Sequence, residues 1–316
     1  LEAREFLIES ASDNLAEIPG IKVETKEKPN INITKITVLN NEGESAINKP
    51  MGNYITIELS RDELNNPDFF TEAAKVLSEE LQGISAVNKD KTTLVTGLGN
   101  RNITPDSLGP KVVSNLVITR HLFKHLPDVL SENMSPVCAV APGVLGLTGM
   151  ETSEIVQGVS QNVKPDLIIA VDALASRKTD RLCTTIQISD TGINPGSGVA
   201  NHRNAINKES MGVPVIAIGV PMVVDAVTIA NDSIELMSKN LPMNDLSNKT
   251  SEERYSMISG HLPESLNTMM VTPKEIDILS EKLAKIVANG INMCLHKDIT
   301  ETEIESRKLE FVKNYI

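Results

Sequence analysis

Residues 166–172 read DLIIAVD, five apolar residues with an acid at each end. Short apolar runs of the same kind recur along the chain, at residues 92–97, 137–141, 184–188 and 213–220. Runs of this length without polar alternation are typical of strands buried on both faces. Between them lie segments with helical patterning, at 111–125, 153–162, 203–210 and 224–238. The alternation predicts an α/β fold, a largely parallel twisted sheet flanked by helices.

The chain outside this alternation adds smaller units. Two alternating runs, 32–39 and 53–59, predict an antiparallel hairpin (32–59) with a long loop. Helices are predicted at 1–16, 67–81, 273–289 and 300–312, and Gly290 is expected to close the third of these. Residues 240–267 are polar and predict a surface excursion. We expect residues 1–316 to form a single α/β domain with a helical C-terminal part.

The amino-acid composition argues against some kinds of binding partner. The 316 residues carry a net charge of −12, which argues against binding a nucleic-acid backbone. No apolar run reaches the roughly 20 residues of a membrane span, so no membrane partner is expected. Three cysteines without a C-x-x-C pair suit reduced core thiols in a cytoplasmic protein. The chain begins at Leu1 without a Met, so we expect a processed or trimmed form.

Acids follow several of the predicted strands. In open parallel sheets, ligands bind beyond the carboxyl ends of the strands. The acids at such positions are Asp106, Asp172, Asp190 and Asp225. Aspartate is also a favoured N-cap residue of helices, so each has a purely structural alternative.

Two glycine motifs have a functional and a structural interpretation. Gly97 and Gly99 follow a strand as in a dinucleotide-binding loop, but the third glycine of that fingerprint is replaced by Asn102. A tight bend explains the pair equally well. Residues 190–192 read DTG, the triplet of pepsin-like proteases, which need two copies on an all-β scaffold. The single copy here is interpreted as a turn after a strand.

The motifs for a histidine metal site and for a serine nucleophile match only in part. His121 and His125 share one helix face, but no H-E-x-x-H motif is present, and exposed helix histidines are the simpler interpretation. Residues 196–198 read GSG and do not match a nucleophile elbow. No cofactor is expected from these motifs.

Four longer stretches carry a specific resemblance. They are GLGNRNITPDSLGP (97–110), DLIIAVDALASR (166–177), SDTGINPGSG (189–198) and GVPMVVDA (219–226). Together they closely resemble the bacterial spore germination protease family, over essentially the whole chain. The resemblance implies an endopeptidase of the spore core that degrades small acid-soluble DNA-binding proteins when germination begins. It also implies a zymogen with a short propeptide, an active homotetramer, and a catalytic pair at Asp106 and Asp172.

A more distant resemblance concerns the stretch from Gly97 to Gly109, which is similar to the opening motif of hydrogenase maturation proteases. In that family, acids at the Asp106 position and after a later strand bind metal, together with a downstream His. His202 lies in a plausible region but in no such motif. This departure favours a metal-independent pair of carboxylates over a metal site.

The predicted chemistry follows from the pair. One carboxylate takes a proton from water and the other gives a proton to the departing amine, so two nearby acids sharing one proton suffice. Thr104 and Pro105 predict a helix start with Asp106 in its first turn, while a start at Gly109 would leave Asp106 in a loop. Two alternatives remain: a metal-dependent peptidase using the same acids, and a non-catalytic nucleotide- or ligand-binding module.

Overall fold

The computed structural model describes residues 18–85, 90–126, 130, 133–195, 204–240, 249–297, 299–300 and 302–304. The strands in this part of the chain are β1 (Ile21–Lys28), β2 (Ile31–Val38), β3 (Gly52–Leu59), β4 (Thr93–Gly97), β5 (Val137–Val140), β6 (Leu167–Ser176), β7 (Thr185–Ser189), β8 (Val215–Asp225) and β9 (Met270–Val271). The helices are α1 (Asn41–Ile47), α2 (Pro67–Ile84), α3 (Leu108–Ser114), α4 (Arg120–His125), α5 (Leu145–Thr148), α6 (Thr152–Val163), α7 (Lys208–Met211), α8 (Ala226–Asn240), α9 (Ser251–His261), α10 (Glu264–Asn267) and α11 (Ile276–Leu295). Within these ranges every helix falls short of the length and apolarity that a membrane crossing requires.

One sheet contains all the described strands, in the order β1-β2-β3-β7-β8-β6-β4-β5, with β9 beside the end of β8. The α/β class and the helix-flanked sheet are therefore confirmed. Strands β8, β6, β4 and β5 run parallel, as predicted. The strands from β1 to β7 pair antiparallel, and β7 joins this half to β8. The sheet is thus mixed, and its parallel half contains the predicted active-site strands.

The predicted N-terminal hairpin is confirmed, since β2 and β3 pair antiparallel in full register. Helix α1 occupies their long connection. Strand β1 pairs with β2 and was not predicted. Its sequence IKVETKEK contains only two strongly apolar residues, both near its start, and the rest is mostly charged. The predicted helices at 1–16 and 300–312 fall wholly or mostly outside the described residues.

Helices α2 and α11 pack together over one face of the sheet. Asn66 caps α2, because its side chain accepts a hydrogen bond from the Asp68 N–H at 3.1 Å. The prediction that Gly290 ends the helix predicted at 273–289 is wrong, since α11 continues to Leu295. A Cβ atom at Gly290 would lie 2.7 Å from Leu77 Cδ2. Gly290 is therefore a contact point between the two helices.

Three other predicted boundaries differ from the structure. The helix predicted at 111–125 is two helices, α3 and α4. Helix α8 begins after Asp225 rather than at Val224, because β8 continues along β6 to that point. The segment 240–267, predicted as a surface excursion, contains α9 and α10 in its described part. Helix α9 packs on α8, and buried Arg254 donates from Nε to Asn231 Oδ1 at 3.2 Å.

The sheet separates two apolar layers. The first core lies on the side of α2 and α11 and contains residues from β2 to β8 and from α2, α3 and α11, between Ile31 and Leu295. The second core is smaller and lies on the side of α6, where Val156 packs against Ala170 and Ala217 of the parallel strands. Asp172 projects from the second face, because it follows Ala170 by two residues along β6.

Candidate active site

Asp172 lies inside β6, rather than directly after a strand that ends at Val171. Strand β6 extends further because β8 continues beside it, with Asp172 opposite Gly219. On its other side, β4 ends at Gly97, which pairs with Val171. Asp172 is therefore the first residue of β6 beyond the end of β4. It is 7% exposed, and its Oδ1 accepts a hydrogen bond from the Ala173 N–H at 3.0 Å.

Asp106 ends a single turn of 3-10 helix, residues Thr104–Asp106, that follows β4. The prediction of a helical turn that starts at Thr104 and contains Asp106 is confirmed for this short turn only, since the α-helix α3 begins at Leu108, one residue before the alternative start at Gly109. The Asp106 side chain is half-buried, and its Oδ2 accepts a hydrogen bond from the Asn100 N–H at 2.7 Å. Its own N–H donates to Ile103 O at 2.9 Å. These hydrogen bonds hold the Asp106 carboxylate against Asn100, near the start of the loop that follows β4.

Glycines allow this loop to fold tightly onto the strand. Gly99 has φ +106°, and a Cβ atom there would lie 2.1 Å from Asp106 O. Gly97 and Gly109 approach each other directly, since a Cβ at Gly97 would lie 2.1 Å from Gly109 O. A Cβ at Gly109 would in turn lie 2.3 Å from Leu98 O. The glycines are thus needed by the chain's own packing, which weakens the dinucleotide-loop interpretation.

The turn Thr104–Asp106 contacts both β6 and β8. The loop is anchored at its start by Leu98, whose N–H donates to Val171 O at 2.8 Å. Asp106 and Asp172 therefore lie at the same edge of the sheet, where β4 ends and its two neighbours continue. Gly109 was named from the sequence as part of a family motif and as a possible helix start, but its close packing against Gly97 was not predicted.

Asp190 does not join this group. Its Oδ1 accepts a hydrogen bond from the Asn53 N–H at 2.7 Å, and its Oδ2 accepts one from Asn53 Nδ2 at 2.6 Å. The carboxylate thus ties the end of β7 to β3. Gly192 has φ +85°, so residues 190–192 form the turn that the sequence predicts.

Asp225 has the role of a helix cap. Its Oδ1 accepts a hydrogen bond from the Thr228 N–H at 2.7 Å, and its Oδ2 accepts one from Thr228 Oγ1 at 2.8 Å. The Tyr255 hydroxyl donates to Asp225 Oδ1 at 3.5 Å. Burial, followed by the negative charge of Asp225, raises the pKa of Tyr255.

The histidine pair on α4 contributes little to this edge of the sheet. His125 is exposed on α4, while His121 is half-buried, so only one fits the exposed interpretation. Burial and the neighbouring His125 lower the pKa of His121. His202 and the GSG segment 196–198 lie outside the described residues. Across the part of the chain that is described, no group of three or more His, Cys, Asp or Glu side chains is placed to hold a metal ion.

Comparison with known proteins gives one family. The germination protease family model matches residues 1–256 and 243–307. A germination protease of Caldanaerobacter subterraneus subsp. tengcongensis is 48% identical, covering 96% of this chain and 95% of its own length. That of Clostridium acetobutylicum is 46% identical with 96% of each chain covered, and that of Bacillus velezensis is 39% identical with 95% and 93% covered.

Among solved structures, the chain is similar to the [NiFe] hydrogenase maturation protease HycI from Thermococcus kodakarensis KOD1, with 18% identity and a TM-score of 0.34. That similarity covers 68% of this chain and 98% of HycI. The germination protease model, by contrast, extends over nearly the whole sequence, and relatives from three genera align with it almost end to end. The chain therefore belongs to the germination protease family, a family of peptidases.

Proposed function

We propose that this endopeptidase hydrolyses its substrates with Asp106 and Asp172 acting as one unit, without a metal ion. The observation that carries the proposal is that the Thr104–Asp106 turn lies close to β6, the strand that contains the buried carboxylate of Asp172. Two acids at one sheet edge, one held by a backbone N–H and the other inside a strand, suit proton transfer to and from a bound peptide.

In the proposed reaction, one carboxylate takes a proton from water as the water oxygen attacks the peptide carbonyl carbon. The other carboxyl group, protonated, gives its proton to the amide nitrogen as the C–N bond breaks. The products are one new carboxylic acid and one new amine, and the pair ends with a single shared proton, as it began. Each proton transfer contributes roughly 10²–10⁴ in rate.

The proposed substrates are the small acid-soluble DNA-binding proteins of dormant spores, within the spore core, at the start of germination. The enzyme is made as a zymogen and works as a homotetramer. The resemblance of the 97–110 and 166–177 stretches to the family supports these assignments. The net charge of −12 disfavours direct contact with the DNA that the substrates bind.

The test is cleavage of a purified small acid-soluble spore protein by single and double Asp→Asn variants. Asp106→Asn and Asp172→Asn should each lower kcat about 10²–10⁴-fold, since Asn fills the same volume but cannot exchange the proton. The double variant should be little worse than the worse single variant, because groups that act as a unit are non-additive.

Asp225→Asn is the matched control, since Asn also caps helices and should preserve both fold and activity. Activity should persist with a chelator such as EDTA. Full activity in Asp172→Asn, or multiplicative losses in the double variant, would contradict the shared role. Activity lost with the chelator and restored by zinc would instead assign both acids to metal binding.

A further inference from the structure

The sheet face that carries Asp172 also carries buried polar groups without a hydrogen-bond partner. Among the described residues these groups include Thr96 Oγ1, Thr185 Oγ1 and both amide atoms of Gln187. Gln187 is 0% exposed. It pairs with Gly219 on β8, and Gly219 pairs with Asp172 on β6, so Gln187 and Asp172 share one register and one face.

Gln187 is an unfavourable residue for this position if only folding matters. Its sequence neighbours, Ile186 and Ile188, point to the opposite face and belong to the first core. A buried carboxamide that lacks a partner loses its bonds to water and gains none in return, which destabilises the fold. Methionine would fill nearly the same volume without that cost. Among the described residues the amide has no partner, so it can pair with a group that is added.

The geometry fits a peptide group as that partner. A carboxamide offers both a donor and an acceptor, which match the C=O and N–H of a peptide backbone. Two strand spacings separate Gln187 from Asp172, about 9.5 Å, and an extended peptide covers that distance in about three residues. Gly219 lies between them without a side chain, so no side chain of β8 stands between the two at this register.

A cleft of about 350 Å³ lies beside Thr185, a residue of this face. Thr185 lines it and lies two residues before Gln187 on the same side of β7, about 7 Å away. The other walls carry charges of both signs, from Glu58, Arg61 and Arg181. The cleft lies at the edge of the sheet where β6 and β8 end, because β7 runs antiparallel to β8.

We propose that Gln187 binds a backbone peptide group of the substrate about three residues from the scissile bond, and that the cleft at Thr185 is its entry. The inference rests on the proposed function, because it takes Asp172 as the site of hydrolysis. Gln187 is a substrate-binding residue here and takes no part in proton transfer. Since it is fully buried in the free enzyme, binding includes an opening of this face.

The experiment compares Gln187→Met with the wild-type enzyme on a ladder of peptides extended stepwise on each side of one cleavage site. For peptides that reach three or more residues on one side, the variant should raise KM about 5–100-fold, the effect of the two hydrogen bonds that methionine cannot make. Shorter peptides should be cleaved with unchanged kcat and KM. The variant should also unfold at a higher temperature, because it removes an unpaired buried amide.

Gln82→Met, at an exposed position of α2, is the matched control and should change neither property. A merely structural Gln187 would give a lower unfolding temperature and no dependence on peptide length, and that result would overturn the inference. Gln187→Leu repeats the test if the methionine variant fails to fold. If Asp172→Asn cleaves as well as the wild-type enzyme, the proposed function fails instead. The unfolding temperatures still decide whether the amide is unpaired.

Discussion

At the scale of single residues, similar aspartates have different surroundings. Asp190 and Asp225 each accept two hydrogen bonds from one nearby residue, Asn53 and Thr228 respectively, which accounts for their presence in terms of structure alone. Asp172 instead lies buried in the middle of a strand, a costly place for a carboxylate. Burial in a strand, more than position after a strand, is what distinguishes it.

Two buried thiols should make stability fall at high pH. Burial raises the pKa of Cys183 and of Cys294 to about 11. In the unfolded chain a thiol titrates near 8.5, so the unfolded state loses protons first as pH rises. The stabilisation is complete below about pH 8.5 and is lost toward pH 11, by up to ~1.4 kcal/mol per pH unit for each thiol.

Urea unfolding under reducing conditions at pH 8, 9 and 10 measures this loss. The variant with both residues changed to Ala should be less stable at pH 8 but should show a shallower decline with pH. The difference between the two slopes isolates the thiols from tyrosines and lysines that titrate in the same range. Equal slopes would show that the thiols ionise as easily in the folded protein as in the unfolded chain.

At the scale of elements, a single helix contact positions the C-terminal helix on the fold. Gly290 lets α11 approach α2 at Leu77, so Gly290→Ala should cost about 1–3 kcal/mol through overpacking. A Cβ atom at Gly158 in α6 would meet no heavy atom within 4 Å, so Gly158→Ala should stabilise by about 0.5–1 kcal/mol. Chemical denaturation of both variants gives the comparison, and two changes of the same sign would contradict it.

The sequence predicted those elements that bury either one face or both faces. Strands such as β4 and β6 consist mostly of buried apolar residues because both of their faces are covered, and the sequence predicted them. Strand β1 has one exposed edge and alternates lysine with glutamate, so it carries no such signal. Helix α9 was missed because its buried residue is Arg254, whose guanidinium binds Asn231 and Glu235 of α8 as well as the nearby Lys249 O.

The sequence predicted the candidate site only in part, because some of its contacts depend on how distant elements pack. The order of strands and acids along the chain indicated that Asp106 and Asp172 reach one edge. The close approach of Gly97 and Gly109 depends on how α3 packs on β4, which local patterning does not encode. Gln187 was not singled out, although a glutamine between two isoleucines of a buried strand is a signal that sequence reasoning can use.

At the scale of the whole molecule, the first core joins residues from Ile31 to Leu295, which supports the proposal of a single domain. The free edge of the sheet at β1 carries Lys22, Glu24 and Lys26, all exposed. Charges along an edge strand oppose pairing with another strand. The proposed tetramer is therefore expected to use surfaces other than this edge.

Light scattering at micromolar concentration under active conditions should give four chains per particle. The variant with Lys22, Glu24 and Lys26 each changed to Ser should remain a tetramer, because these side chains lie outside the expected interfaces. A monomer in the wild-type protein would contradict the assembly, and dissociation of the variant alone would assign the interface to the β1 edge.

The pairing of β3 with β7 has a consequence for biosynthesis. These strands meet directly, Tyr54 against Ser189, although a long stretch of chain separates them. At about 5–20 residues per second, a ribosome needs roughly 6–25 s to make the approximately 130 residues between them. Throughout that interval the edge of β3 lacks its partner strand β7. The nascent chain therefore passes through a period in which it is open to aggregation and to capture by chaperones, before the first half of the sheet can join the second.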